Sequence, residues 1–411
     1  MIPPTPKSNR DPVIVSAART PVGKFMGGLA SFPATRLGAL AVREAVKRAG
    51  IDAGQIDEVL LGQVVTAGAG QAPARQAAIF AGLPDSVGAV TVNKVCGSGL
   101  EAVMLAASQI KAGDGDLYVA GGMESMSRAP YLLPEERSGR KYGHTQVLDA
   151  LQLDGLWCAL EDQSMGVAAE FIADQFEVTR AEMDEFAYHS HRKAIAAIDT
   201  GKFKSEIVPV EVKEAKGRVT IVDTDEGPRR DTSLEALAKL RPAFRAEGRV
   251  TAGNAPGMND GAAALVVMSR GTADRLGIKP LARIVGYAHA AVPARWLFIA
   301  PARAIPRLLA KINWTLGDVD LIEINEAFAA QVLADARSLE QDGHRWDWNK
   351  VNVNGGAVAL GHPIGCSGAR LLSTLIYALH DRGLRSGLAA LCLGGGEAVA
   401  LAIEIEGGIS S

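Results

Sequence analysis

The chain has 411 residues, is 48% hydrophobic and 22% charged, and carries a formal net charge of −3. Length allows about two to three domains, and the composition is that of a packed globular protein, which excludes a disordered chain. No broad basic field exists to hold nucleic acid, and no apolar stretch is long and uninterrupted enough to span a bilayer.

Taken in chain order, Met1 to Asp11 is polar and Pro-rich, without the apolar core of a signal peptide or the Arg-rich pattern of a transit peptide. Val13 to Val15 reads as a strand, and Leu37 to Ala49 as a helix stopped by Gly50. Glu58 to Val64 is a second strand, Ala74 to Ala81 a helix, and Ala89 to Val92 a third strand. Gly99 to Ala112 is a long amphipathic helix, followed by a strand over Leu117 to Ala120. Helical crossovers between buried strands predict a mostly parallel sheet with helices on its faces.

The order returns late in the chain. Strands are expected at Ala282 to Tyr287, Val319 to Ile324, Lys350 to Val353, Gly387 to Cys392 and Ala398 to Ile405. Helices are expected at Pro301 to Lys311, Ala327 to Leu339 and Ser367 to His380. Ser98-Gly99 and Ser367-Gly368 each open the third helix of a half. Val119-Ala-Gly-Gly-Met and Leu393-Gly-Gly-Gly-Glu match in placement after a strand. The chain is therefore read as a duplicated α/β protein: 1–126 plus 249–277 form one half, 278–411 the other. Segment 127–248, with a helical pair around Ser164 to Phe176 and Arg180 to Ile198, is an insertion over the sheet's end, well placed to cover a ligand.

The four cysteines are Cys96, Cys158, Cys366 and Cys392. None lies in a CxxC pair, so a zinc site has no support. They make no disulfide framework in a chain of this length, which points to a reducing cytoplasm. The closing Gly-Ile-Ser-Ser is no peroxisomal address.

Cys96 stands in Asn93-Lys-Val-Cys-Gly-Ser-Gly, where a strand ends and a helix starts. A thiol there feels the positive end of the helix dipole, which lowers its pKa and favours thiolate. Gly97 and Gly99 permit the turn and leave room for a substrate. The pattern equally fits a small buried cysteine. His362, crowded by glycines in Leu360-Gly-His-Pro-Ile-Gly, can take a proton from a nearby thiol, or be a structural histidine. Cys392, before Gly394 in Cys-Leu-Gly-Gly-Gly, suits a second acid/base beside an oxyanion hole, or a small core residue. Asn325 in Asn-Glu-Ala-Phe reads on its own as an N-cap. Cys158 and Cys366 read as packing residues.

Together these segments resemble the thiolase family over nearly the whole chain. Val15-Ser-Ala-Ala-Arg-Thr-Pro-Val-Gly-Lys-Phe, Gly121-Gly-Met-Glu-Ser-Met-Ser, Leu240-Arg-Pro-Ala-Phe and Val250-Thr-Ala-Gly-Asn match in order. The resemblance implies the thiolase fold, an α/β fold of two pseudo-symmetric αβαβα halves, each with helices on both sheet faces, and an inserted loop domain. It implies an acyl-CoA:acetyl-CoA C-acyltransferase of fatty acid metabolism, working through a Cys96 acyl-enzyme with ping-pong kinetics. His362 matches the residue that activates the thiol and donates to the thioester oxygen in a first oxyanion hole. Asn325 matches the holder of that hole's water, and Cys392 the acid/base at the α-carbon of acetyl-CoA. The N–H groups of Cys96 and Gly394 match the second oxyanion hole. Arg229, Phe244, Ala252, Met165 and Phe328 match residues along the CoA and its pocket. CoA is substrate, and no metal or separate cofactor is implied. The family is usually a homodimer or homotetramer, and the segment near His144 matches a region often used in tetramers.

Three departures touch the substrate. Pro256 replaces a common Ser. Leu297-Phe-Ile-Ala-Pro stands where Met-Gly-x-Gly-Pro is usual, so Phe298 adds bulk near the acyl pocket. Ser164-Met-Gly replaces the His-Met-Gly of many short-chain members. Two alternatives carry weight. A β-ketoacyl synthase-like condensing enzyme normally has two histidines, or His and Asn, and Cys392 argues against it. A non-catalytic acyl-CoA-binding relative would have lost a catalytic residue.

Overall fold

The computed structural model describes residues 8–213 and 217–406. The closing Gly408-Ile-Ser-Ser and the first seven residues, read above for targeting, lie outside the described residues. In the first half β1 is Pro12–Arg19, α1 Ala34–Ala49, β2 Glu58–Gly62, α2 Pro73–Ala81, β3 Gly88–Val92, α3 Ser98–Ala112 and β4 Leu117–Ser125. The chain then runs through α4 (Met165–Gln175) and α5 (Arg180–Asp199) before returning as β5, Asn259–Ser269. The second half comprises β6 (Ala282–Ala291), α6 (Pro301–Ile312), β7 (Leu321–Ile324), α7 (Ala329–Gln341), α8 (Ser367–Arg382), β8 (Ser386–Leu393) and β9 (Glu397–Ile405).

The sheet runs β7-β8-β9-β6-β1-β5-β4-β2-β3. Each half repeats one pattern. β1 pairs antiparallel with β5 and β5 with β4, while β2 lies parallel to both β4 and β3. Likewise β6 pairs antiparallel with β9 and β9 with β8, and β8 is parallel to β7. Among the described residues, only Val13–Ile14 and Ala282–Arg283 join the two halves along the sheet.

The expected mostly parallel sheet is thus mixed. The correction comes from β5, a strand the sequence pattern does not reveal. Every residue of Asn259–Ser269 is buried, so the run shows no period of two. β5 returns antiparallel between β1 and β4, as β9 does between β6 and β8. The β8–β9 link is a three-glycine turn; the equivalent β4–β5 link holds the insertion.

The strand expected at Lys350 to Val353 is reduced to one bridge, Val351 to Ile322. Asn352 turns away with φ 44, and its side-chain amide instead pairs with the Ile324 N–H and C=O at 2.9 Å each. Side-chain amide has replaced backbone ladder. Val119-Ala-Gly-Gly-Met also differs from its expected echo, because Gly121 and Gly122 lie inside β4 while Gly394 follows β8.

Among the described residues the three largest cores give five layers in all. One packs α1 and α2 on the outer face of the first sheet half, and one packs α6 and α7 on the outer face of the second. Between them α3 and α8 share the central core. Both stop at a glycine in the left-handed region, Gly113 (φ 91) and Gly383 (φ 63), where an L side chain would be strained. Their N-termini meet at the middle of the molecule.

The insertion is tied down by charge. Arg19, fully buried at the end of β1, donates to Glu206 at 2.7 Å and to both oxygens of Asp225 at 2.7 and 2.8 Å. Losing one partner would strand a charge in the interior, at about 3–5 kcal/mol. Among the described residues no helix is long and apolar enough to cross a membrane.

Candidate active site

Cys96 precedes α3, whose N-cap is Gly97. The left-handed residue of the turn is Val95 (φ 46), not a glycine. A β-branched side chain pays for that conformation only where neighbours over-determine it. Here they do: Ser98 Oγ accepts from Lys94 N at 2.8 Å and donates to the Val95 carbonyl at 2.6 Å, while Asn93 Oδ1 accepts from Val95 N at 3.0 Å. Gly97 serves close approach instead: a Cβ there would meet Leu393 Cδ2 at 2.6 Å. Lys94 also pairs with Glu397 at 2.5 Å, fastening the nucleophile turn to the glycine turn after β8.

The residue is half-buried, but its sulfur sits inside a cavity, and the loss of solvent pushes the thiol up to about 12. Hydrogen bonds from the N–H of Gly394 and from its own N–H pull the other way, and the charge of Glu124 adds to the rise. The expected low thiol pKa is therefore corrected: burial outweighs the helix terminus. Cys96 needs a base.

His362 lies on a turn between the short helix Ala357–Leu360 and α8. Burial, with the positive Arg370 nearby, brings its imidazole down to about 4, so it is neutral at pH 7. Ser367 Oγ donates to the Pro363 carbonyl at 3.0 Å and lies 2.6 Å from His362 Nδ1. That network assigns the proton to Nδ1 and leaves the lone pair on Nε2. The His362 N–H donates to Asn259 Oδ1 at 2.9 Å.

Asn325 is not an N-cap, since α7 starts at Ala329 with Phe328 as its cap. It sits fully buried at the end of β7, its Nδ2 3.5 Å from His362 Nε2 and its Oδ1 without a partner among the described residues. Cys392 is buried near the end of β8; burial, then the adjacent Cys96, holds its thiol well above the ordinary range. Cys158 and Cys366 are both buried, Cys366 as a packing residue of the central core.

One cavity of about 720 Å³ gathers nine of the ten residues singled out from the sequence: Cys96, His362, Cys392, Gly394, Met165, Arg229, Phe244, Ala252 and Phe328. Asn325 stands just behind its wall. The size suits a small-molecule site. Phe328 is the aromatic hub, edge-on to Phe298 at 5.4 Å and to Phe244 at 6.3 Å. Phe298, Pro256 and Ser164, the three departures, all line this cavity. Arg229 is exposed at the mouth, its backbone N–H donating to His191 Nδ1 at 3.1 Å.

Sequence reasoning missed three supporting residues. Asn259 and Ser367 hold the His362 turn, and Glu124 lies beneath Cys96. Ser367 stood out only as an echo between the halves, and Glu124 only as part of Gly-Met-Glu-Ser-Met-Ser. Their roles need partners distant in sequence.

A family model described as thiolase, N-terminal domain, matches residues 12–271, and one described as thiolase, C-terminal domain, matches 278–405. An acetyl-CoA acetyltransferase of Pseudomonas aeruginosa is 54% identical over 96% of this chain and 99% of that protein. A probable acetyl-CoA acetyltransferase of Escherichia coli is 51% identical over the same shares, 96% and 99%. The crystal structure of the Bacillus anthracis acetyl-CoA acetyltransferase is similar with a TM-score of 0.93 at 46% identity, covering 96% of this chain and 99% of that one.

Proposed function

The chain belongs to the thiolase family, and from that premise we propose that it exchanges acyl groups between CoA thioesters through Cys96, with acetoacetyl-CoA as the substrate it cleaves or makes. It is an acyltransferase, a thiolase. The observation that carries the residue roles is the pairing of a protonated, desolvated Cys96 with a neutral His362 in one cavity, with Gly394 N–H on the sulfur.

In the cleavage direction, His362 Nε2 takes the Cys96 proton as sulfur attacks the 3-keto carbon. The N–H groups of Cys96 and Gly394 stabilise the oxyanion. The C2–C3 bond breaks, its electron pair becomes the enolate of acetyl-CoA, and Cys392 protonates C2. His362 and a water held by Asn325 stabilise that enolate oxygen; a buried Oδ1 needs such a donor. CoA then gives its proton to the Cys392 thiolate and attacks the acyl-enzyme, and Cys96 leaves with the proton of His362. Two half-reactions through one site are ping-pong. A free thiol nucleophile, with all four cysteines unpaired, fits a reducing cytoplasm.

Phe298 sets the acyl length in this reading. Its ring is buried in the cavity wall against Phe328, so the space a longer acyl chain would need is filled. Wild type is expected to prefer acetoacetyl-CoA to 3-ketohexanoyl-CoA. Phe298→Ala should shift the ratio of the two kcat/KM values toward the longer substrate by about 10-fold or more, the effect of a few methylenes in an apolar pocket. An unchanged ratio in a folded variant would remove Phe298 from specificity.

A further inference from the structure

Glu124 is fully buried at the end of β4, in the first half of the molecule, and belongs to none of the steps above. Its carboxylate accepts three backbone N–H groups. Oε2 takes Val64 N at 3.0 Å and Gly365 N at 3.0 Å, and Oε1 takes Val65 N at 3.3 Å. The first and third come from the loop after β2. The second comes from the far half, three residues after His362.

The His362–Gly365 turn is pressed against the first half at this point. A Cβ at Gly62, Gly99 or Gly122 would collide with the Gly365 carbonyl, and one at Gly365 would meet Glu124 Oε2 at 3.0 Å. Ile364 packs with Val64 and Val65 in a small apolar cluster against which Cys96 lies. The base turn therefore rests on β2, β4 and the start of α3, and Glu124 is the side chain that hydrogen-bonds it there. Asn259 holds the other end of the turn through the His362 N–H.

We propose that Glu124 is a positioning residue for the reaction: its carboxylate locks the His362–Gly365 turn of one half to the Cys96-bearing half, and so sets the geometry of base and nucleophile. The proposal rests on the thiolase reading for its kinetic consequence. Displacing reacting groups by about 1 Å costs on the order of 100-fold. A second consequence is electrostatic. Cys96 is faced by Glu124, His362 and Cys392, with Asp260 beside Glu124; of these the Glu124 charge disfavours the thiolate, and desolvation remains the larger cause.

Two variants separate these effects. Glu124→Asp draws the carboxylate back by one methylene and breaks the bridge to Gly365. Glu124→Gln keeps the shape and, with its oxygen at the Oε2 position, both 3.0 Å bonds, but removes the charge. Acetoacetyl-CoA cleavage by CoA and the pH dependence of Cys96 alkylation by iodoacetamide are measured for both, with thermal unfolding as the check on folding. Glu124→Asp is expected to lose kcat by about 100-fold with KM for either substrate changed by less than about threefold. Glu124→Gln is expected to restore most of that kcat and to alkylate at lower pH than wild type. A folded Glu124→Asp with near wild-type kcat, or a Glu124→Gln whose alkylation profile does not move, overturns the proposal. If Glu124→Asp does not fold, the Glu124→Gln profile decides alone. A wild type that cleaves no ketoacyl-CoA sinks the thiolase reading instead, and the alkylation profiles still judge Glu124.

Discussion

Cys96→Ala is expected to abolish the cleavage of acetoacetyl-CoA by CoA, lowering kcat by on the order of 10⁴-fold or more. The reason is chemical. Every step of either half-reaction passes through the bond between sulfur and acyl carbon, and no other thiol is placed to form it. Cys392 is buried and raised further than burial alone requires by Cys96 itself. Cys366 lies in the central core and Cys158 is buried in the insertion. Alanine at position 96 fits the space without disturbing the turn, which Ser98 and Asn93 hold. Loss of the enolate absorbance, followed for wild type and variant, measures the effect. A folded variant within about tenfold of wild type would contradict the assignment of the nucleophile.

His362→Ala is expected to cost about 10² to 10⁴-fold in kcat, the range of a lost general base. The sign of its pH dependence follows from the two groups. The imidazole is pulled down to about 4, so its basic form is present from well below neutrality upward. The thiol is pushed up to about 12, so little thiolate exists at pH 7 without a base. Wild type should therefore alkylate at Cys96 at neutral pH through His362, and His362→Ala should do so only as the pH is raised toward that of the free thiol. Equal alkylation rates for the two proteins at pH 7 would show that Cys96 is activated by something other than His362.

Much of this was legible in the sequence, for identifiable reasons. The duplicated order of elements shows in helices with glycine stops, and those recur in the structure within a few residues. Cys96 and Cys392 stand where a strand ends against glycines, Asn325 where a strand ends without them, and His362 on a glycine-flanked turn between two helices, and the fold brings all four to one cavity or its wall. What escaped was whatever lacks a local signature. Strand β5 is buried on both faces along its whole length, so it carries no alternation. The third strand of the second half was expected from a β-branched pattern, but Asn352 supplies the pairing with its side chain. The thiol pKa departs from the sequence expectation because a helix terminus is visible in sequence and burial is not. Glu124, Asn259 and Ser367 act on partners 241, 103 and 5 residues away, and only the last of these is even nearly local.

The central claim is that the acyl group passes through Cys96. Protein quenched in acid during turnover of acetoacetyl-CoA, digested and analysed by mass spectrometry, tests it most directly. One acetyl group on the peptide containing Cys96, removed when excess CoA is added before the quench and missing from Cys96→Ala, is the predicted result. Turnover with an unmodified Cys96 peptide, or an acetyl group on Cys392 in its place, would contradict the account.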